Sequence, residues 1–164
     1  MAGAANWLEG WPDQETVLLE LEKEYTRLFV NAYPKAAALP YSSVYLDKEC
    51  LVWGRSTAEV ARLYESVGLS INEDFHDLPD HIAAELEFAS HLITEQLKGD
   101  QDGPPATQHL SSIEKRFLSE HLCRWAPLFF NRVAEQSVVS FYQAMAELAH
   151  RFVKWEAQRL RDRQ

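Results

Sequence analysis

The sequence predicts an all-α fold, built as a single compact helical-bundle domain. Apolar residues recur at three- and four-residue intervals in each long segment between turn signals, which is the period of a helix buried along one face. Helix start and stop signals flank these segments. No segment alternates apolar and polar residues between turns, as a half-buried strand does. With 164 residues, 46% of them hydrophobic, the chain can bury the core of one domain.

The first predicted helix begins at Pro12 or Asp13, which are typical helix-start residues, and runs to about residue 32. Its expected core stripe consists of Val17, Leu18, Leu21, Tyr25, Leu28 and Phe29. The charged residues expected largely off this stripe are Glu20, Glu22, Lys23 and Glu24.

Residues 33–55 are rich in aromatic side chains but have no regular period. We therefore expect an ordered loop with short helical turns. Because so long a non-regular connection is uncommon in a compact domain, it tends to carry function. Its aromatic residues Tyr41, Tyr45 and Trp53 could equally fill the core.

Ser56 and Glu59 have the spacing of a capping box that starts a helix at Thr57. Gly68 is expected to end this helix in the left-handed conformation. An acidic loop, residues 72–77, then leads into the next helix.

The stretch Asp77-Leu78-Pro79-Asp80-His81 opens a helix predicted to run from about residue 79 to residue 98. Proline suits the first helical turn, and the helix dipole there favours Asp77 and Asp80. Gly99 is the predicted stop. The predicted inward face consists of Ile82, Leu86, Ala89, Ile93 and Leu97.

His81 and Glu85 fall on one flank of that helix, within reach of each other, whereas Asp80 falls on the opposite side. Two interpretations remain open. Glu85 could fix the tautomer of a core histidine, or Asp80 and His81 could form part of a binding site at the loop–helix junction.

The C-terminal third is predicted to contain three helices after a flexible linker at about 99–108. The first runs from about Ser112 to Leu122, with Ile113, Phe117 and Leu118 facing inward. Pro127 restarts a second helix through Val133, and the last runs from Ser137 to about Leu160. The expected core face of the last helix is Phe141, Met145, Leu148, Phe152 and Trp155.

Charge and cysteine content narrow the class of protein. The 16 basic and 25 acidic residues give a net charge of −9, which disfavours nucleic acid and anionic membranes and favours basic partners. Cys50 and Cys123 have neither zinc-site nor disulfide-framework spacing. Without an apolar run long enough to span a bilayer or a signal-peptide pattern, we expect a cytoplasmic protein with no membrane span.

Enzyme motifs give little support for catalysis. Glu73 to His76 and Glu147 to His150 have the spacing found in di-iron bundles, but neither pair is expected to face a common interior. The sequence has no phosphate-binding loop, dinucleotide fingerprint, HExxH motif or nucleophile elbow. We predict a non-enzymatic protein and keep a metal-dependent helical-bundle enzyme as the alternative.

Four blocks carry a family resemblance. They are Leu39-Pro40-Tyr41-Ser42-Ser43-Val44-Tyr45-Leu46-Asp47, then Trp53-Gly54-Arg55-Ser56-Thr57, then Asp77-Leu78-Pro79-Asp80-His81 with Glu85-Leu86-Glu87-Phe88, and His121-Leu122-Cys123-Arg124-Trp125-Ala126-Pro127. In order and spacing, across roughly residues 24–155, they resemble the TorD/DmsD/NarJ family of redox-enzyme maturation chaperones.

The resemblance implies an all-helical cytoplasmic chaperone that binds the twin-arginine leader of a molybdoenzyme catalytic subunit. Such a protein holds the apoenzyme for insertion of the molybdenum cofactor and delays export through the twin-arginine route. The cofactor belongs to the client, so none is expected here, and nucleotide binding is left open. The implied leader-binding residues are Tyr41, Tyr45, Trp53, Asp77, Asp80, His81, Glu85, His121, Arg124, Trp125 and Pro127.

Two departures from the family pattern affect these expectations. The hinge motif is usually Glu-Pro-x-Asp-His, whereas residues 77–81 have the NarJ-like Leu-Pro-Asp form, which leaves the subfamily and client open. Family members also normally carry further helices before the segment at residues 24–29. The chain is then a shortened member, or its core is completed by a partner, the leader or an element swapped within a homodimer. A structural subunit of a reductase complex is a third interpretation.

Overall fold

The computed structural model describes residues 13–31, 36–72, 74–99 and 104–162, with backbone alone at 104–107 and 160–162. These residues form seven α-helices and no strand, which confirms the all-α prediction. The helices are α1 Gln14–Tyr25, α2 Ser42–Leu46, α3 Arg55–Ser66, α4 Ile82–Gly99, α5 Pro104–Phe117, α6 Cys123–Gln136 and α7 Ser140–Asp162. Short π-helical turns follow α1, at Thr26–Val30, and α5, at Leu118–Leu122.

The helices of the described ranges lack the combination of length and apolarity needed to cross a bilayer. The chain divides into two compact units. One lies within Met1–Pro40 and Pro127–Trp155, and the other lies within Tyr41–Ala126 and Glu156–Gln164.

The start of α1 and the end of α3 agree with the sequence signals. Asp13 caps α1, because its carboxylate accepts the Thr16 N–H at 2.8 Å. Gly68 follows α3 with φ +78°, the left-handed conformation that glycine adopts without a steric cost.

The start of α3 differs from the predicted capping box. The helix begins at Arg55, and the Thr57 hydroxyl accepts the Gly54 N–H at 3.1 Å. The Ser56 hydroxyl donates instead to Asp47, at 2.6 Å. A side chain at Gly54 would collide with the Asp47 carboxylate, so this glycine allows Asp47 to approach the start of α3.

Glu24 corrects the prediction for the first helix, where it was expected largely off the core stripe. It is buried, and its carboxylate accepts hydrogen bonds from the Arg27 guanidinium at 2.7 and 2.9 Å. The Ser137 hydroxyl and the Val138 N–H also donate to it, each at 2.8 Å. Although burial raises the pKa of Glu24, these hydrogen bonds lower it to about 2. Within the first unit, Glu24 thus ties α1 to the segment before α7.

The apolar stripes of three helices are exposed more than their period predicts. Leu28, in the π-helical turn after α1, is buried as expected, but Leu18 and Tyr25 of α1 are about half exposed. On α7 the whole predicted core face is exposed, with values from 38% to 63%: Phe141, Met145, Leu148, Phe152 and Trp155. The residues that α7 buries are Ala146, Val153 and Glu156.

Helix α4 shows the same kind of offset. Its predicted inward face includes Ile93 and Leu97, which are exposed. The buried residues lie one position earlier in register: Ala84, Glu85, Phe88 and Leu92. Phe88 sets this orientation, because its ring packs against Tyr64 with centroids 4.6 Å apart and against Phe117 at 5.0 Å.

The C-terminal helices differ from the prediction in their boundaries. Helix α5 begins at Pro104 rather than near Ser112, so the second half of the expected linker is helical, and residues 100–103 lie outside the described residues. Pro127 lies inside α6 instead of starting it. A proline at this position has no N–H to donate to the Cys123 carbonyl, and the π-helical turn Leu118–Leu122 directly precedes this part of the helix.

Candidate functional site

The junction before α4 is organised by the carboxylate of Asp80, which is fully buried. Its Oδ2 accepts the Ser43 N–H at 2.9 Å and the Ser42 hydroxyl at 3.5 Å. The Asp80 carbonyl oxygen accepts the Ser42 N–H at 3.0 Å. Asp80 therefore holds the start of α2. The sequence pattern placed Asp80 on the side of α4 opposite His81 and Glu85, and that placement did not predict this contact.

Oδ1 of Asp80 has no hydrogen-bond partner among the described residues. A buried carboxylate oxygen left in this state is costly unless water or a bound group supplies a donor. The junction therefore retains one unused acceptor, directly beside the binding residues implied by the sequence.

His81 lies against two aromatic rings. The Tyr41 ring packs edge-on at a centroid distance of 5.4 Å, and Phe75 lies at 6.2 Å. Nδ1 of His81 accepts the Ala83 N–H at 3.1 Å, so the neutral ring carries its proton on Nε2, 3.8 Å from Asp77 Oδ2. Burial lowers the pKa of His81, while Asp77 and Asp80 act to raise it. The histidine is therefore mainly neutral at pH 7.

The predicted pairing of His81 with the Glu85 side chain is wrong, because Glu85 is bound by two residues of another helical segment. His121 Nε2 lies 2.7 Å from Glu85 Oε1, and Trp125 Nε1–H donates to Oε2 at 2.8 Å. Glu85 and Trp125 are fully buried and His121 is 4% exposed. Glu85 thus does satisfy a core histidine, but that histidine is His121.

The buried network is extended by aromatic contacts. The His121 ring stacks on Phe117 at 5.9 Å and 22°, and Tyr45 lies 5.6 Å from Trp125. Burial raises the pKa of Glu85, an effect opposed by His121 and Trp125 and reinforced by Asp80.

The structure brings eight of the predicted site residues into two neighbouring groups, and the other three belong to neither group. Tyr41, Asp77, Asp80 and His81 form the junction, and Tyr45, Glu85, His121 and Trp125 form the buried network. Trp53 is 72% exposed on a loop and has φ +70°. Arg124 is exposed and donates to the Glu120 carbonyl at 3.3 Å. Pro127 belongs to the compact unit that contains α1, whereas the other ten predicted site residues belong to the unit that contains Tyr41–Ala126.

A cleft next to the junction contains residues that the sequence analysis did not select. Its volume is about 210 Å³, and its wall includes Phe75, the ring that also contacts His81. The lining is Tyr64, Leu69, Ser70, Ile71, Asn72, Phe75, Ala84, Glu87, Phe88 and His91. Most of this surface is apolar, with the Glu87 carboxylate among it. The sequence signal was the apolar pair Leu69 and Ile71 directly after the helix stop at Gly68.

The described residues place no three histidine, cysteine, aspartate or glutamate side chains where they could share a metal ion. Of the di-iron spacings noted in the sequence, Glu147 is exposed on α7, and Glu73 lies outside the described residues.

Comparisons with known proteins give consistent matches. A family model described as the nitrate reductase delta subunit matches residues 2–131. The chaperone protein TorD of Aliivibrio salmonicida is 30% identical over 141 residues, covering 86% of this chain and 64% of that protein. The chaperone protein TorD of Vibrio cholerae serotype O1 is 31% identical over 153 residues, covering 92% and 66%.

A solved structure described as a redox enzyme maturation protein from Archaeoglobus fulgidus is also similar. It matches with a TM-score of 0.60 and 25% identity, over 93% of this chain and 74% of that one. The chain spans slightly less than two thirds of the length of the curated relatives that it matches.

Proposed function

The chain belongs to the nitrate reductase delta subunit family, and from this premise we propose that it is a maturation chaperone for the catalytic subunit of a molybdoenzyme. The family resemblance drawn from the four sequence blocks is confirmed. In the proposed role, the protein binds the twin-arginine leader in the cytoplasm, holds the apoenzyme for cofactor insertion and delays export. The chaperone names of the relatives support a non-enzymatic role.

The observation that carries the proposal is the apolar cleft beside His81. A twin-arginine leader combines a basic head with an apolar segment, so a receptor needs an apolar surface with carboxylates at its edge. Leu69, Ile71 and Phe75 offer the apolar surface. Glu87 in the lining and Asp77 beside His81 offer the carboxylates. An exposed ion pair contributes only about 0–1 kcal/mol, so apolar contact supplies most of the affinity and the carboxylates supply selectivity.

Burial divides the predicted site residues into two proposed roles. Tyr41, Asp77 and His81 are partly exposed and are proposed to contact the leader. Asp80 and the Glu85 network are buried and are proposed to position the junction. This division places ligand contact on the residues that a peptide can reach without unfolding the site.

Trp53 is a separate candidate contact. Its large exposed ring lies on a loop where both Cys50 and Trp53 have positive φ. Non-glycine residues in this region carry a conformational cost that commonly accompanies a functional constraint. We include Trp53 in the leader-binding surface as an aromatic side chain presented to solvent.

Calorimetric titration with a synthetic twin-arginine leader tests the proposal. The expected result is saturable binding that weakens when both arginines of the leader are lysines, since lysine lacks the bidentate geometry of arginine. Ile71→Ser in the cleft should weaken binding by about tenfold, the effect of losing roughly 1.4 kcal/mol of apolar contact.

Glu22→Gln is the matched control, because Glu22 is an exposed carboxylate on α1 in the other unit; it should bind like the unchanged protein. Absence of binding to any leader at low salt would reject leader recognition. Isolation of the chain in a permanent complex with the mature, cofactor-loaded enzyme would instead support a structural subunit. Size-exclusion chromatography of the same samples tests the alternative in which an element is swapped within a homodimer.

A further inference from the structure

A larger cavity, of about 770 Å³, opens between α3, α5 and the start of α6. Three guanidinium groups line it, one from each of these helices: Arg62, Arg116 and Arg124. Leu63 and Ile113 provide apolar wall, and the hydroxyls of Ser66 and Ser112 are also present. A cationic cavity is unexpected in a chain with a net charge of −9.

The positive charge of this cavity is only partly compensated. Within the described ranges Arg62 makes no hydrogen bond or ion pair. Arg116 approaches Glu120 at 3.3 Å, but both side chains are more than 60% exposed, so solvent weakens the pair. The other carboxylate of the lining, Glu59, already pairs with Arg55 at 2.6 Å. Arginines on three walls are therefore available to a ligand.

We propose that this cavity binds a small organic phosphate. A doubly charged phosphate accepts bidentate hydrogen bonds from several guanidinium groups, which a single carboxylate cannot do to the same extent. The hydroxyls of Ser66 and Ser112 already donate to backbone carbonyls of their own helices, at 2.6 and 2.7 Å, so the guanidinium groups are the donors offered to a phosphate. The cavity is larger than a phosphate group, so Leu63 and Ile113 accommodate an organic body attached to it.

This site is independent of the proposed leader-binding function. A twin-arginine leader carries positive charge, which the three arginines repel, whereas the cleft beside His81 offers carboxylates.

Titration calorimetry of the full chain with pyrophosphate and with glucose 6-phosphate tests the inference. Saturable binding that weakens as sodium chloride is raised is expected. Arg62→Gln and Arg116→Gln should each weaken the binding of both ligands by about tenfold, the usual effect of removing a charge-assisted hydrogen bond. Arg151→Gln is the matched control, because Arg151 is an exposed arginine on α7 and should leave binding unchanged.

Circular dichroism of each variant verifies that it is folded before titration. Equal loss of binding in Arg151→Gln would indicate a general charge effect and overturn the site. Absence of saturable binding for both phosphates at millimolar concentration would also overturn it, as would binding of an acidic peptide in their place. Leader binding measured on the same variants should stay unchanged, which keeps the two proposals separable.

Discussion

Glu85 of α4 joins His121 and Trp125 in one buried network, with contacts of 2.7 and 2.8 Å to the two oxygens of its carboxylate. His121 and Trp125 are four residues apart, so they occupy the same side of the helical segment that faces α4. A single carboxylate therefore satisfies two buried donors of the block at residues 121–127. Glu85, His121 and Trp125, three residues of the predicted site, therefore contribute to the packing between α4 and the segment at residues 121–125.

Removing the Glu85 carboxylate should strongly destabilise the fold. Glu85→Ala leaves the donors of His121 and Trp125 unpaired in the core, at a cost of roughly 3–5 kcal/mol. Glu85→Gln should cost less, about 1–3 kcal/mol, because the amide oxygen can accept from Trp125 while the amide N–H₂ donates to the other tautomer of His121. Urea unfolding of both variants measures the difference, and equal stability of Ala and Gln variants would contradict this account.

Local sequence signals predicted the helical class but not the partners of buried polar groups. Asp13 and Gly68 marked helix ends because capping depends on neighbours in the chain. Glu85 and His121 are 36 residues apart, and no periodic pattern reports such a contact. His81 precedes the first residue of α4, so projecting it onto a helical wheel with Glu85 gave the wrong partner.

The apolar period also identified the apolar faces of the helices, but it did not decide which part of a wide face is buried. On α4, residues 88 and 92 and residues 93 and 97 are all apolar, so the stripe is wide enough for two orientations. The contacts of Phe88 with Tyr64 and Phe117 choose between them.

At the candidate site, the sequence blocks predicted Tyr41 and His81, whose rings are in contact. They did not predict the cleft, because a cavity depends on how the helices pack rather than on a sequence motif.

Asp80→Ala should loosen α2 without unfolding the protein. The carboxylate caps the Ser43 N–H at 2.9 Å, and the loss of such a cap costs about 1 kcal/mol. Asp80→Asn retains an oxygen acceptor and should be nearly as stable as the unchanged protein. Hydrogen exchange at the Ser43 amide is the direct measurement. Unchanged protection of this amide in Asp80→Ala would show that the carboxylate does not hold the helix start.

The pH dependence of stability should depend in part on Glu24. Its pKa is lowered from 4.5 to about 2 in the folded protein. A lowered carboxyl pKa stabilises the fold above the unfolded value, and this stabilisation is lost as the pH falls from about 4.5 through about 2. Glu24→Gln should therefore reduce the difference in urea midpoint between about pH 6 and about pH 3.

Glu20→Gln is the control for that measurement. Glu20 also pairs with a basic residue of α1, Lys23, at 2.7 Å, but both side chains are substantially exposed. Its removal should leave the pH dependence nearly unchanged, since exposed pairs contribute little. If Glu20→Gln and Glu24→Gln changed the pH dependence equally, the buried position of Glu24 would not be the cause.

Adjacent residues on α7 should respond very differently to substitution. Val153 is 1% exposed, whereas Phe152 is 50% exposed, although the apolar period assigns Phe152 to the core. Val153→Ala should cost roughly 1–3 kcal/mol, because it removes buried methyl groups and leaves a cavity. Phe152→Ser should cost less than about 1 kcal/mol, since half of the ring is already in water. Urea unfolding of the pair tests the orientation of the helix. The opposite order would mean that Phe152 faces the core and Val153 faces solvent, so that α7 is rotated by about one residue from the structure described.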